Sequence, residues 1–428
     1  MTVKHIQPSM VMAMTNAFWK VSDTLTKLEL DLTGSDIAIT LLDLLHVFAN
    51  LKTLDFTAET PLTYAVGEPE LLDGVHGLVD LTLKFPSIDG PVIQPVLQQC
   101  QHLRRLILSG SHASTWNVVN EFCPDLEIFG YNPKFSVTGL EDNIKKRPGL
   151  RHVWALASKG STRVPAGDCL AMLQRYMRTI ETAHLHLSAS DIPNLDSMYA
   201  ELKLDKLKRL IYCGDPSSGI ESLLLRSIVN CTELVNFCVA ATSDIKSVVN
   251  TLLVLPPLKS LGFAYTTATD GHTSLKQLFD HYATISRRSA SLESIMLRWC
   301  SSTTDEVLAA LSGIKTLQAI RLMGLSRVTS QGLQGFLQAR RESMTTITLV
   351  GIPSITDIHL IIIGDMPHVE TVNLEDLEYI TDDGLVRMVD KAAALHTLSV
   401  MDCKLISEWA MDYAASVIEE LTIFDDLE

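Results

Sequence analysis

One pattern of apolar and polar positions recurs along the chain: apolar-x-x-apolar-x-apolar. It opens at Leu25, Leu51, Leu78, Leu103, Leu126, Leu150, Ile180 and Leu207, and again at Leu234, Leu258, Leu292, Leu317, Met344, Val369, Leu395 and Ile418. These sixteen motifs run from 25 to 418 at a spacing of about 26 residues. Alternation of period two predicts a strand at each motif. In "ALHTLSV", Leu395, Leu398 and Val400 turn into a core, while Thr397, Ser399 and Met401 take the other face.

The stretches between motifs change period. In "ITDDGLVRMVDK" Thr381 is placed to cap a helix, and Asp382 and Asp383 suit the positive end of its dipole. Leu385, Met388 and Val389 then follow at i, i+3, i+4 spacing, the stripe of a helix facing a core. Thr304, Thr329 and Thr356 hold the equivalent cap position. A strand and a helix of this size cannot bury their apolar sides alone, so successive units must stack.

Repeats of 20–29 residues with one strand and one helix are leucine-rich repeats. The segment "ITDDGLVRMVDKAAALHTLSVMDCKLIS" resembles the cysteine-containing subtype found in the F-box substrate receptors of cullin ubiquitin ligases and their relatives, including ribonuclease-inhibitor-like proteins. The resemblance is clearest from about 292 to 403, with Leu325, Ile352 and Leu377 in the slot that Cys300 and Cys403 occupy. It implies an α/β leucine-rich-repeat solenoid, a horseshoe of about 16 repeats. Its parallel β-sheet would lie on the concave face and its helices on the convex face. Residues 1–24 read as a helical cap or partial repeat, and 25–428 as a single solenoid domain. An F-box would be a helical segment ahead of the repeats, opening with a Leu-Pro pair. Residues 1–24 contain no such pair.

Composition narrows the partner. A net charge of −15 argues against a nucleic-acid sheath, which needs clustered Lys and Arg, and favours protein partners. The eight cysteines include no CxxC pair and no zinc spacing. Cys100, Cys123 and Cys231 each precede a strand-opening leucine by three residues, and Cys300 and Cys403 each follow one by eight, so they read as small buried hydrophobes with free thiols. "MTVKHIQPSMVMAMTNAFWKVSD" has no unbroken apolar region, and "LIIIG" is too short to span a bilayer. The expectation is an intracellular protein, cytoplasmic or nuclear, acting as a monomer away from membranes. "NCT" at Asn230 would then be an unused glycosylation sequon.

Catalytic motifs are absent: there is no GxSxG, P-loop, GxGxxG or HExxH. His184 and His186 lie two apart on one strand face, but a metal needs further ligands, and they read as a polar pair facing solvent. No enzyme, metal or cofactor is expected. The concave positions carry the functional information. Glu29, Asp31, Asp55 and Asp80 make an acidic start; His152, Trp154, His184, His186 and Arg209 follow in the middle. Next come the small residues Asn236, Cys238, Ala240, Ser260, Gly262 and Ala264, then Arg298 and Arg321. Trp and Arg are enriched at interface hot spots. The long step after Leu150 adds Lys159 and Arg163 in "SKGSTRVPAG", and "YTTATDGHTS" (265–274) is a second insertion. Extra residues in a solenoid often become binding-side loops. The candidate site is therefore His152, Trp154, Lys159, Arg163, His184, His186, Arg209, Arg298 and Arg321, capturing a protein partner. The alternative is that Trp154 packs on its neighbours and the histidines are ordinary surface residues. A cullin-ligase adaptor would be a further partner if an F-box is supplied elsewhere. A freestanding scaffold or inhibitor is the alternative function.

Overall fold

Each apolar motif becomes a strand, and each strand begins two residues after the residue that opens its motif. We describe a computed structural model of the 428-residue chain. It describes residues 1–4, 18, 20–34, 41–62, 75–132, 149–156, 164, 166–187, 195–214, 219–266, 268, 270–285, 292–418 and 420–422. Two compact units divide the chain, Met1–Ser218 and Gly219–Glu428.

The first unit contains strands β1 (Thr2–Lys4), β2 (Lys27–Asp31), β3 (Thr53–Thr57), β4 (Asp80–Ile88), β5 (Arg105–Ser111), β6 (Ile128–Tyr131), β7 (His152–Ala155), β8 (Thr182–Leu187) and β9 (Arg209–Gly214). Each pairs in parallel with the next. The described helices between them are α1 (Leu41–Val47), α2 (Gly90–Gln99), α3 (Thr115–Phe122), α4 (Ala166–Arg175) and α5 (Leu195–Met198). Where the sequence reads only a helix ahead of the first motif, β1 adds a strand, with Thr2 opposite Glu29.

The second unit repeats the plan with β10 (Asn236–Ala240), β11 (Ser260–Ala264), β12 (Ser294–Arg298), β13 (Ala319–Met323), β14 (Thr346–Val350), β15 (Thr371–Glu375), β16 (Thr397–Met401) and β17 (Glu420–Thr422). All are parallel to their sequence neighbours within the unit. Its helices are α6 (Ile220–Ile228), α7 (Ile245–Val254), α8 (His272–Ile285), α9 (Asp305–Ser312), α10 (Ser330–Ala339), α11 (Asp357–Gly364), α12 (Asp382–Lys391) and α13 (Glu408–Val417).

The strand leucines and the helix stripes share one core. Leu398 and Val400 are buried, as are Leu385, Met388 and Val389 of α12. The polar alternate positions face away from it, except Ser399, which is itself buried. The cysteine slots are buried at all five predicted positions, and none of the eight cysteines is in a disulfide. Leu325, Ile352 and Leu377 are equally buried at the slot they share with Cys300 and Cys403. Burial pushes the thiols of Cys100 and Cys123 up to about 12, so both stay protonated.

The second insertion is used differently from expectation. Much of the long step between Leu258 and Leu292 goes into α8, which runs for 14 residues. Its leading loop is tied down: Thr266 donates to Cys300 Sγ at 3.0 Å, Ser301 donates to the Thr266 carbonyl, and Ser302 donates to the Ala268 carbonyl.

Thr329 caps its helix as expected, accepting from the Gly332 N–H at 3.1 Å, whereas Thr304 and Thr381 make no such bond. Thr381 sits at the N-cap, but its hydroxyl donates to Asp357 Oδ2 of the preceding repeat at 2.7 Å, and its N–H donates to Asp357 Oδ1 at 2.7 Å. Asp305 receives the same pair of bonds from Thr329, and Asp382 from Ser407. A carboxylate at the start of one helix thus caps the next repeat. Gly332 and Gly384 make room for it, because a Cβ at either would overlap the carboxylate of Asp305 or Asp357. Where Ser330 replaces the aspartate, His359 replaces the glycine. Its Nδ1 accepts from the Thr356 N–H at 3.0 Å, and its Nε2 then donates to the Ser330 carbonyl at 3.2 Å.

Candidate functional site

Parallel register sets equivalent positions of successive strands side by side. The sheet face of the first unit turned away from the strand leucines is buried at Ile128, Thr82 and Ile107 and more open from His152 on. One row of it runs Asp80, Arg105, Ile128, His152, Thr182, Arg209. The next runs Thr82, Ile107, Gly130, Trp154, His184, Ile211. Trp154 therefore stands between Gly130 and His184, with no side chain on its Gly130 flank. His186 lies opposite Cys213. The strand period exposes these residues: Trp154, His184 and His186 are half-buried, while Val153, Ala155 and Leu185 between them are buried.

His152 stacks on Trp154, with ring centroids 5.9 Å apart and planes 20° from parallel. Burial pulls the His152 imidazole below its ordinary value; Glu181 opposes this, and Arg151 and Lys208 add to it. The ring is thus biased toward the neutral form that stacks on an indole. Its Nδ1 is buried and has no hydrogen-bond partner among the described residues.

Ion pairs line the strand starts beneath this patch. Arg104 binds Glu127, and Arg151 donates to Glu181 through Nε at 2.7 Å. Lys208 reaches the second oxygen of Glu181 at 2.9 Å. Burial alone would raise the Glu181 carboxyl, but its bonds to Lys208 and Arg151 hold it below the usual range. The acidic start is likewise neutralised from within: Asp80 pairs with Arg105 at 2.9 Å, Asp55 with Lys84 at 3.3 Å and Glu29 with Lys27 at 3.2 Å. Arg209 is the contrast, exposed and without an ion pair to any described residue.

Lys159 and Arg163 lie outside the described residues. Arg298 and Arg321 belong to the second unit. They occupy adjacent strands, Arg321 opposite Met296 and Arg298 opposite Met323. Neither has a carboxylate partner among the described residues. The alternation rule missed two neighbours, Tyr265 and Trp299, because they sit just past their strands. A signal was nonetheless present: the equivalent positions of later repeats are Gly324, Gly351, Asp376 and Asp402, types suited to a left-handed backbone.

Among the described residues no group of three or more His, Cys, Asp or Glu could hold a metal ion. No helix among them is long and apolar enough to cross a membrane.

No protein-family model matches the sequence, and no curated protein does. Solved structures with similarity include Rad7 in complex with Elc1 from yeast, at 12% identity and a TM-score of 0.39, over 98% of this chain and 89% of that one. TLR13 in complex with single-stranded RNA matches at 14% identity and a TM-score of 0.46, over 95% of this chain and 57% of that one. The strand–helix repeats themselves, parallel within each unit and capped from one repeat to the next, make the chain an α/β leucine-rich-repeat solenoid.

Proposed function

We propose that the chain is a non-enzymatic recognition protein that captures a partner protein on the concave face of its solenoid. The observation supporting this is the placement of Trp154 between Gly130 and His184, stacked by His152, with Arg209, which has no ion pair to a described residue, in the row of His152. An indole supplies apolar area, and a guanidinium pairs with a carboxylate in a fork. His186, Lys159 and Arg163 complete the proposed patch, and residues 25–428 act as one solenoid domain of an intracellular monomer. Arg298 and Arg321, which belong to the second unit, are proposed as recognition residues of that unit in their own right.

Trp154→Ala and Arg209→Ala should each weaken capture about thirtyfold, the loss expected for a hot spot of about 2 kcal/mol. Titration calorimetry against the captured protein measures it, with Asp383→Ala on α12 as the control. Normal binding by both variants together with loss in the control would move the contact to the helices and end this reading. A finer form of the proposal makes the captured protein a ubiquitination substrate, supported by the resemblance of 292–403 to F-box receptor repeats. Cullin and its adaptor should then co-purify with the chain. Their absence leaves a freestanding scaffold or inhibitor.

A further inference from the structure

Tyr265 and Trp299 follow β11 and β12 in the left-handed region, at φ 52° and 43°. That region disfavours large side chains, and the same slot holds Gly324, Gly351, Asp376 and Asp402 in later repeats. Both rings are nevertheless 45% and 42% exposed, so burial does not explain them. They stack on each other with centroids 5.0 Å apart and planes 21° from parallel. The Arg298 guanidinium lies 5.0 Å from the Tyr265 centroid and 4.5 Å from that of Trp299. Gly324 keeps the next slot clear, since a Cβ there would overlap the Trp299 indole. The preceding strands carry only Cys238, Ala240, Gly262 and Ala264 at the positions paired toward Met296 and Arg298.

Charge selects the occupant. Lys259 and Lys391 of this unit pair with Glu293 and Asp365, but Arg298 and Arg321 have no carboxylate among the described residues. Arg298 Nε is buried without a hydrogen-bond partner. A cationic ligand would be repelled by this guanidinium. A long polyanion would meet Glu375, Asp376 and Asp402 farther along the same edge. A short acid fits both limits.

We propose that Tyr265, Trp299, Arg298 and Arg321 form a second recognition surface for an acidic peptide segment of a partner protein, one carrying a proline or aromatic ring beside its carboxylate. The ring lies on the exposed aromatics, as flat side chains do in aromatic-lined peptide grooves, and the carboxylate takes the guanidiniums. The surface extends the recognition reading but depends on none of the Trp154 patch.

The test selects peptides from a phage-displayed random dodecapeptide library on the immobilised full chain. Enriched peptides should share Asp or Glu next to Pro, Trp, Tyr or Phe. Synthetic copies should bind about thirtyfold more weakly to Trp299→Gly, to Arg298→Gln and to Arg298→Lys, which keeps the charge but loses the planar fork. Trp299→Gly relaxes the left-handed backbone, so its melting temperature should hold or rise, separating lost binding from lost fold. Trp154→Ala should bind these peptides normally. Failure to enrich any peptide, enrichment without acids, or indifference to all three variants overturns the proposal. Dependence on Trp154 instead would support the first patch and sink this one. Binding of a twenty-nucleotide oligo-dT through Trp299, without peptide binding, would replace the peptide with single-stranded nucleic acid.

Discussion

The two units keep the same strand–helix plan but bind their repeats together with a different balance of ion pairs and caps. In the first, side-chain charges do it: Arg151, Glu181 and Lys208 link three successive strands, and Arg105–Asp80 and Lys84–Asp55 link earlier ones. In the second, such pairs among the described residues are fewer, Lys259–Glu293 and Lys391–Asp365, and Asp305, Asp357 and Asp382 reach forward to the backbone and hydroxyl of the next cap. A carboxylate that receives an N–H and an O–H is satisfied without any cation. That economy leaves Arg298 and Arg321 of the second unit without acidic partners. In the first unit most of the described cations on the sheet face turned away from the strand leucines are consumed by structure, and Arg209 is an exception among the described residues. Spare charge on a solenoid face is informative only after the structural pairs have been subtracted.

The comparison can be broken most strongly at the caps. Asp357→Ala removes two charge-assisted hydrogen bonds from Thr381, and should cost about 2 kcal/mol in urea unfolding. Gly384→Ala should cost part of that loss, because the new Cβ would push the Asp357 carboxylate aside, although Asp382 keeps its bonds to Ser407 beside Ala410. Asp383, which only pairs with Arg387 one turn on, should cost about 0.4 kcal/mol when changed to Ala. Equal losses at Asp357 and Asp383 would show that the forward cap adds nothing beyond an ordinary surface pair.

A smaller effect is expected at the ion pairs. Glu181→Gln should destabilise by about 1 kcal/mol, since Glu181 and Arg151 are mostly shielded from solvent while Lys208 is half exposed. Raising the salt to 1 M should shrink that difference and leave the Asp357→Ala difference nearly intact. An unchanged Glu181→Gln loss at high salt would contradict the division of labour proposed between the units.

The smallest effect is a pH slope in the first unit. His76 is held below its ordinary value by burial, against the Phe48 carbonyl and with help from Lys52. Its Nδ1 accepts from the Leu78 N–H at 3.1 Å, so protonation there loses a bond. His152 is lowered as well, by burial first. A depressed histidine stabilises the fold fully above its unfolded value of about 6.5, and that contribution is lost as pH falls from there. Glu181, also depressed, loses its contribution at lower pH, from about 4.5 downward. Mass-resolved thiol labelling reads the outcome, because Cys100 and Cys123 are buried reporters in this unit. Their protection against urea should weaken between pH 7 and 5.5, and a flat profile would exclude the histidine contribution.

Much of the site was legible by alternation, and the reasons for the misses are local. His152, Trp154, His184 and Arg209 fall on alternate strand positions, so pattern alone puts them on the open face. Pattern does not say that His152 stacks on Trp154, because two rings on one strand face can equally splay apart. Nor does it say that Asp55 and Asp80 are already neutralised, because those pairs join residues 25 or more apart. Tyr265 and Trp299 lie beyond the strand, where the period-two rule no longer applies.

What the sequence determined by itself was the repeat. Sixteen apolar motifs announce sixteen strands, since a two-residue period and a 26-residue unit are consequences of local chain geometry. The buried cysteine slots follow from the same period. Tertiary structure alone decided how neighbouring units exchange partners. Asp305 with Gly332 and Asp357 with Gly384 are complementary pairs, and Ser330 with His359 is their substitute. Each pair spans two repeats, so either residue taken alone looks like an ordinary cap or an ordinary helix position. Stacking brings the two to the same few ångströms, where a Cβ at Gly332 or Gly384 would overlap the carboxylate as it stands; beside Asp382 the same place is held by Ala410.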